Sequence, residues 1–107
     1  MTEIEKLYNT ILDRKTNKEE GSYTTYLFDK GTEKILKKVG EECTEVVIAA
    51  LSQEKEDQIY EISDLVYHLL VLMADKGITL SDIEGELEKR SVKSHNLKAE
   101  RREIENL

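Results

Sequence analysis

The sequence predicts an all-α fold of about five helices, and three observations predict it. Apolar residues recur at spacings of three and four along most of the chain. Serine or threonine stands where several such runs begin, and glycine stands where they stop. Proline is absent, and no β-branched run alternates with polar residues as a half-buried strand would.

Thr2 and Glu5 have the spacing of a capping box and open a first helix over about residues 3 to 15. Ile4, Leu7, Tyr8, Ile11 and Leu12 give it a core-facing stripe. Residues 16 to 22 are polar and read as a loop. Ser22 is placed to cap a short second helix, Tyr23 to Lys30, which Gly31 ends. Thr32 is placed to cap a third helix that runs to Leu51 or Ser52. Its expected stripe is Ile35, Leu36, Val39, Cys43, Val46, Val47, Ala50 and Leu51, with Ile48 off that stripe. Residues 52 to 57 form a polar joint, and a fourth helix follows to Lys76, stopped by Gly77. Its main stripe is Ile59, Ile62, Leu65, Val66, Leu69, Leu70, Leu72 and Met73, and Tyr60, Tyr67 and Val71 form a second. A helix apolar on two sides is buried on two sides, which points to packing against its own chain and a partner. Thr79 and Asp82 cap a fifth helix with Leu80, Ile83 and Leu87 inward. Residues 91 to 107 read as a charged tail, either a helical extension or disordered.

Two acidic pairs stand out within these helices. Glu42 and Glu45 are three residues apart, as are Glu61 and Asp64, so each pair projects from one helix face. Facing one another, they would gather four carboxylates, which repel strongly unless a multivalent cation lies among them. Oxygen-only ligands suit Mg²⁺ or Mn²⁺, and Mg²⁺ usually accompanies phosphate chemistry. The bland reading of Glu41 to Glu45 is a solvated face, because Lys37 and Lys38 precede Glu41 and Glu42 by one turn. Glu61 and Asp64 weigh against it, since they lie in the most hydrophobic helix, where unpartnered charges rarely go. Lys34 and Lys38 read as phosphate contacts or as charge partners for the acids. His68 follows Asp64 by one turn and reads as a satisfied histidine or as a group orienting that carboxylate.

The totals narrow the function classes. At 107 residues there is room for one domain, and the 38% hydrophobic content lies below the usual share of about 45–50%. So small a core favours association into a homodimer. A formal net charge of −7 leaves no broad basic footprint for nucleic acid. The single cysteine excludes an internal disulfide framework, fits a reducing cytoplasm, and reads as a core thiol. No signal-peptide pattern opens the chain, and the longest apolar run, 69 to 74, is too short to span a membrane.

Glu41-Glu42-x-x-Glu45 followed by Glu61-x-x-Asp64 resembles the motif of the all-α MazG-type nucleotide pyrophosphohydrolases. Ser22-Tyr23-Thr24-x-Tyr26-Leu27-Phe28, Lys30-Gly31, Lys37 to Glu42 and Asp64-Leu65-x-Tyr67-His68 are similar to the phosphoribosyl-ATP pyrophosphatase family, over about residues 3 to 90. Cys43 stands where that family commonly has alanine. The resemblance implies a MazG-like bundle over residues 1 to 90, completed by tight dimerisation. It implies Mg²⁺-dependent hydrolysis of phosphoribosyl-ATP to phosphoribosyl-AMP and pyrophosphate, the second step of histidine biosynthesis. Glu42, Glu45, Glu61 and Asp64 would be the ligands, with Glu41 a group behind them or the base for water. Lys34, Lys38, Ser22 and Tyr23 would meet the substrate. A house-cleaning nucleoside triphosphate pyrophosphohydrolase and a non-catalytic helical dimer are the alternative readings. The bifunctional form of the family needs a longer chain.

Overall fold

The computed structural model describes residues 1–52 and 54–93, and every regular element among them is an α-helix. The chain divides into two compact units, Met1–Gly77 and Ile78–Leu107. The first unit holds four helices. α1, Glu3–Thr16, starts with the expected capping box: the Thr2 hydroxyl oxygen accepts from the Glu5 amide at 3.1 Å, and the Glu5 carboxylate accepts from the Thr2 amide at 2.7 Å. α2, Tyr23–Lys30, starts where Ser22 Oγ accepts from the Thr25 amide at 3.1 Å. Gly31 ends α2 with φ +93°, a conformation that glycine adopts far more readily than other residues.

The same glycine precedes α3, Thr32–Leu51, so Thr32 is the first helical residue rather than the cap. Its hydroxyl donates instead to Asp75 Oδ2 at 2.7 Å, pinning the start of α3 to the end of α4. α4, Lys55–Lys76, begins within the joint expected over 52 to 57, earlier than the sequence suggested. Glu56 and Asp57 fall in its first turn, where the helix dipole favours negative charge, so polar residues extend the helix here. Gly77 closes α4 in the left-handed conformation.

Ile11, Leu27, Ile35 and Val71 are each wholly buried, one from each of these four helices. α3 lies along α4 in the most extensive packing of the unit, with α1 against α4 and α2, and α2 against α3. On α1 the stripe narrows to Tyr8 and Ile11, while Ile4 and Leu12 are exposed.

The stripes of α3 and α4 divide differently from the sequence expectation. On α3, Ile35, Glu42 and Ala49 turn inward, one every two turns, whereas Leu36, Cys43, Val47 and Leu51 are exposed. Cys43 is thus a surface thiol, not a core one, because the inward face of α3 lies about 100° round from it. On α4, His68, Leu70, Val71 and Ala74 pack inside the chain, while Ile59, Ile62 and Leu69 of the main stripe face out.

The second unit contains α5, Leu80–Lys93, opened by a reciprocal pair in which Thr79 Oγ1 accepts from the Asp82 amide at 3.0 Å and Asp82 accepts from the Thr79 amide at 2.9 Å. None of its described side chains is buried: Ile83 and Leu87, expected inward, are exposed. Among the described residues of this unit, α5 is the one helix, and an amphipathic helix buries its stripe only against a second surface. The tail expected to follow lies, for 94 to 107, outside the described residues. Among the described residues no helix is long and apolar enough to cross a membrane.

Candidate active site

The inward face of α3 brings Glu42 against the middle of α4. Glu42, Asp64 and His68 each direct one potential ligand atom into the same spot, all within 4.8 Å of one another. The Glu42 side chain is buried although it carries an ionisable acid. Burial pushes its pKa above the ordinary carboxylate value, and a hydrogen bond and repulsion from Asp64 add to the rise, against the opposing pull of His68 and Lys38. Lys38 spans two acids, its Nζ 3.3 Å from Glu41 and 3.6 Å from Glu42. Burial opposes its charge, yet the hydrogen bond to Glu41 and the surrounding negative field leave the Lys38 pKa raised.

Glu45 and Glu61 come together one turn further along the helix pair. They line a hollow of about 230 Å³ with Ala49, Ser52, Asp57 and Tyr60. Glu42 of α3 therefore faces Asp64 and His68 of α4, while Glu45 and Glu61 border a neighbouring hollow. Both groups lie on the α3–α4 face, and Glu41 stands at its edge, half-exposed and paired with Lys38. The ligand atoms that gather are those of Glu42, Asp64 and His68; Glu45 is exposed and Glu61 half-buried, and both stand outside that group rather than completing the expected set of four carboxylates.

Around this face stand aromatic and hydroxyl side chains. His68 is 2% exposed, with Nδ1 2.8 Å from the Asp64 carbonyl oxygen and Nε2 2.9 Å from the Tyr23 hydroxyl. Tyr67 packs edge-on to the His68 ring at 4.9 Å between centroids, and its hydroxyl shares a hydrogen bond with Thr24. Burial raises the Tyr23 pKa, and Tyr67, Asp64 and Glu42 add to that rise while Lys38 opposes it. Ser22 and Tyr23 also line an open hollow of about 500 Å³ beside α2. Lys34 stands further out, its Nζ 5.9 Å from the centre of the Tyr26 ring, beside Lys30 at 5.8 Å.

The structure brings Glu42, Asp64, His68, Lys38 and Tyr23 together; Glu45 and Glu61 line a neighbouring hollow, and Ser22 and Lys34 stand apart from both. Sequence reasoning placed Tyr67 on the second apolar stripe of α4 and did not foresee its hydrogen bond to Thr24, its packing on His68, or how deeply His68 is buried. The one-turn spacing of His68 from Asp64 was the available signal.

A family model described as Phosphoribosyl-ATP pyrophosphohydrolase matches residues 4–91. The chain is 59% identical over 104 residues to a Phosphoribosyl-ATP pyrophosphatase of Clostridium novyi and 62% identical to that of Clostridium acetobutylicum; each alignment covers 97% of this chain and 94% of the relative. It is also 61% identical over 87 residues to the Histidine biosynthesis bifunctional protein HisIE of Caldanaerobacter subterraneus, covering 81% of this chain and 42% of that protein. A match along nearly the whole first unit, and through both acidic helix faces, places this chain in the phosphoribosyl-ATP pyrophosphohydrolase family.

Proposed function

We propose that this chain hydrolyses phosphoribosyl-ATP to phosphoribosyl-AMP and pyrophosphate in histidine biosynthesis, with Mg²⁺ at the α3–α4 face. The observation that carries the reading is the buried Glu42 carboxyl set beside Asp64 within a family match that spans both helices. A buried acid with its pKa raised by burial and by a second carboxyl is an electrostatic debt that a divalent cation relieves. The donor set fits Mg²⁺, with Mn²⁺ as the alternative: Glu42, Glu45, Glu61 and Asp64 would hold it. When bound, such an ion lowers the pKa of its water and neutralises phosphate charge.

The chain's own groups supply the rest. Lys38 carries positive charge beside the acids and is placed to meet triphosphate oxygens. Lys34 extends that charge towards α2, and Ser22 and Tyr23 border the open hollow on the same side. Glu41, half-exposed and next to Lys38, is the base for the attacking water or the group that orients it. Water adds across the α–β anhydride, and its proton leaves to that base or to solvent.

The working unit is a homodimer in the cytoplasm. Leu36, Val47, Ile48 and Leu51 on α3 and Ile59, Ile62 and Leu69 on α4 are all exposed large apolar side chains. Apolar surface on that scale marks an association face on a small protein. The test of function is release of pyrophosphate from phosphoribosyl-ATP, ATP and dUTP at equal concentration with Mg²⁺. Turnover of phosphoribosyl-ATP well above the other two supports the reading. Preference for ATP or dUTP would instead make it a general nucleoside triphosphate pyrophosphohydrolase, and no release from any would leave a binding role.

A further inference from the structure

His68 is more than a satisfied core histidine, because in its neutral form the direction of both its hydrogen bonds follows from what surrounds it. The Asp64 carbonyl oxygen, 2.8 Å from Nδ1, can only accept, so Nδ1 carries a hydrogen. In the neutral ring Nε2 then holds a lone pair, and the Tyr23 hydroxyl 2.9 Å away must donate to it. The hydrogen of Tyr23 is thereby turned inward. What remains on its oxygen is acceptor capacity, on a side chain 44% exposed and standing in the field of Lys38, Asp64 and Glu42.

The Asp64 carboxylate stands 3.4 Å from the same Nδ1, so one ring touches both the α4 turn that carries Asp64 and the first residue of α2. Thr24 and Tyr67 repeat the link one residue along on each helix, and the Tyr67 ring closes one side of the imidazole. Tyr23 itself packs edge-on to that imidazole, with centroids 5.7 Å apart.

We infer that His68 is a positioning residue which locks the Tyr23 hydroxyl with its oxygen lone pairs facing the substrate side, as an acceptor for the attacking water. An oxygen presenting only lone pairs repels phosphate oxygens, so its partner has to be a donor. This rests on the hydrolytic reading of the α3–α4 face. It differs from the alternative in which Tyr23 donates to a phosphate group, because the two change different kinetic constants.

The experiment compares wild type, Tyr23→Phe, His68→Asn and the double variant. Asparagine keeps an amide donor near the place of Nδ1 and offers nothing at Nε2. Both single variants are expected to lower kcat about tenfold, the scale of one well-made hydrogen bond to a polar centre, with KM for phosphoribosyl-ATP changed less than about twofold. The double variant should fall no further than the lower single. A rise in KM at unchanged kcat would assign Tyr23 to ground-state phosphate binding and overturn the inference, as would additive losses. ¹⁵N spectra of the metal-free wild type provide a readout independent of turnover. They should show the Nδ1–H tautomer and an Nε2 resonance displaced by Tyr23→Phe. An Nε2–H ring would overturn the inference even if phosphoribosyl-ATP is the substrate. Absence of turnover by wild type would sink the hydrolytic reading and the water-acceptor role that rests on it, leaving the spectra to decide the lock alone. Should His68→Asn fail to fold by circular dichroism, Tyr23→Phe and the spectra still decide.

Discussion

At the Glu42 carboxyl, burial and the neighbouring Asp64 hold the pKa above the ordinary value of 4.5. A folded state that binds this proton more tightly than the unfolded chain gains stability from it at low pH. That contribution is complete below the ordinary pKa and is lost as pH rises through the raised value. In the metal-free protein, Glu42→Gln should therefore melt with a shallower decline than wild type across this acidic window. Parallel melting curves would contradict the raised pKa. Glu45→Gln and Asp64→Asn test the same face in another way. Like charges a few ångströms apart cost on the order of 1 kcal/mol or more at an effective dielectric near 20, so neutralising one should leave metal-free stability unchanged or higher. Activity should fall on the order of a hundredfold or more, as expected when a cation loses a ligand. If the carboxylates are only salt-bridge partners at the surface, the same changes lower stability by about 0–1 kcal/mol and activity is retained.

The elements were legible where local chemistry decides them. The capping residues Thr2, Ser22 and Thr79 and the stops at Gly31 and Gly77 all fall where the sequence placed them. What was not legible is how an apolar stripe is shared between the chain's own core and an outer face. Leu36, Cys43 and Val47 satisfy the same periodicity as Ile35 and Val46, and only tertiary packing tells them apart. The Thr32 hydroxyl illustrates the same limit: a residue typed as a cap serves instead as a long-range tether to Asp75. The Lys15 ammonium, likewise, donates to the Ala74 carbonyl at 2.8 Å and binds α1 to the end of α4. Thr32→Val leaves Asp75 without that donor and should cost about 1–3 kcal/mol, while Lys15→Met should cost about 0.5–1.5 kcal/mol. Urea unfolding with unchanged slope is the measurement for both; a Thr32→Val cost below that of Lys15→Met would reverse their assigned importance. At the site itself, the acidic pairs were legible as pairs. That Glu42 gathers with Asp64 and His68 while Glu45 and Glu61 border a separate hollow depended on the helix crossing and was not.

At the scale of the molecule, the exposed stripes of α3 and α4 are the surface that the proposed homodimer would cover. Val47 and Ile62 are 61% and 50% exposed, so a charge at either costs the isolated chain little. Sedimentation of wild type should give twice 12.4 kDa or more, and Val47→Glu or Ile62→Asp should shift it towards the monomer. A wild-type monomer at micromolar concentration would contradict the dimer. Whether the carboxylate face drives the chemistry is tested most directly by pyrophosphate release from phosphoribosyl-ATP as Mg²⁺ is titrated into chelator-stripped protein. The expected result is no release without the ion, saturable recovery with Mg²⁺, poor recovery with Ca²⁺ because its looser geometry positions phosphates less well, and weaker Mg²⁺ dependence on the Glu45→Gln background. Full release in excess chelator would contradict a metal-dependent site on α3 and α4.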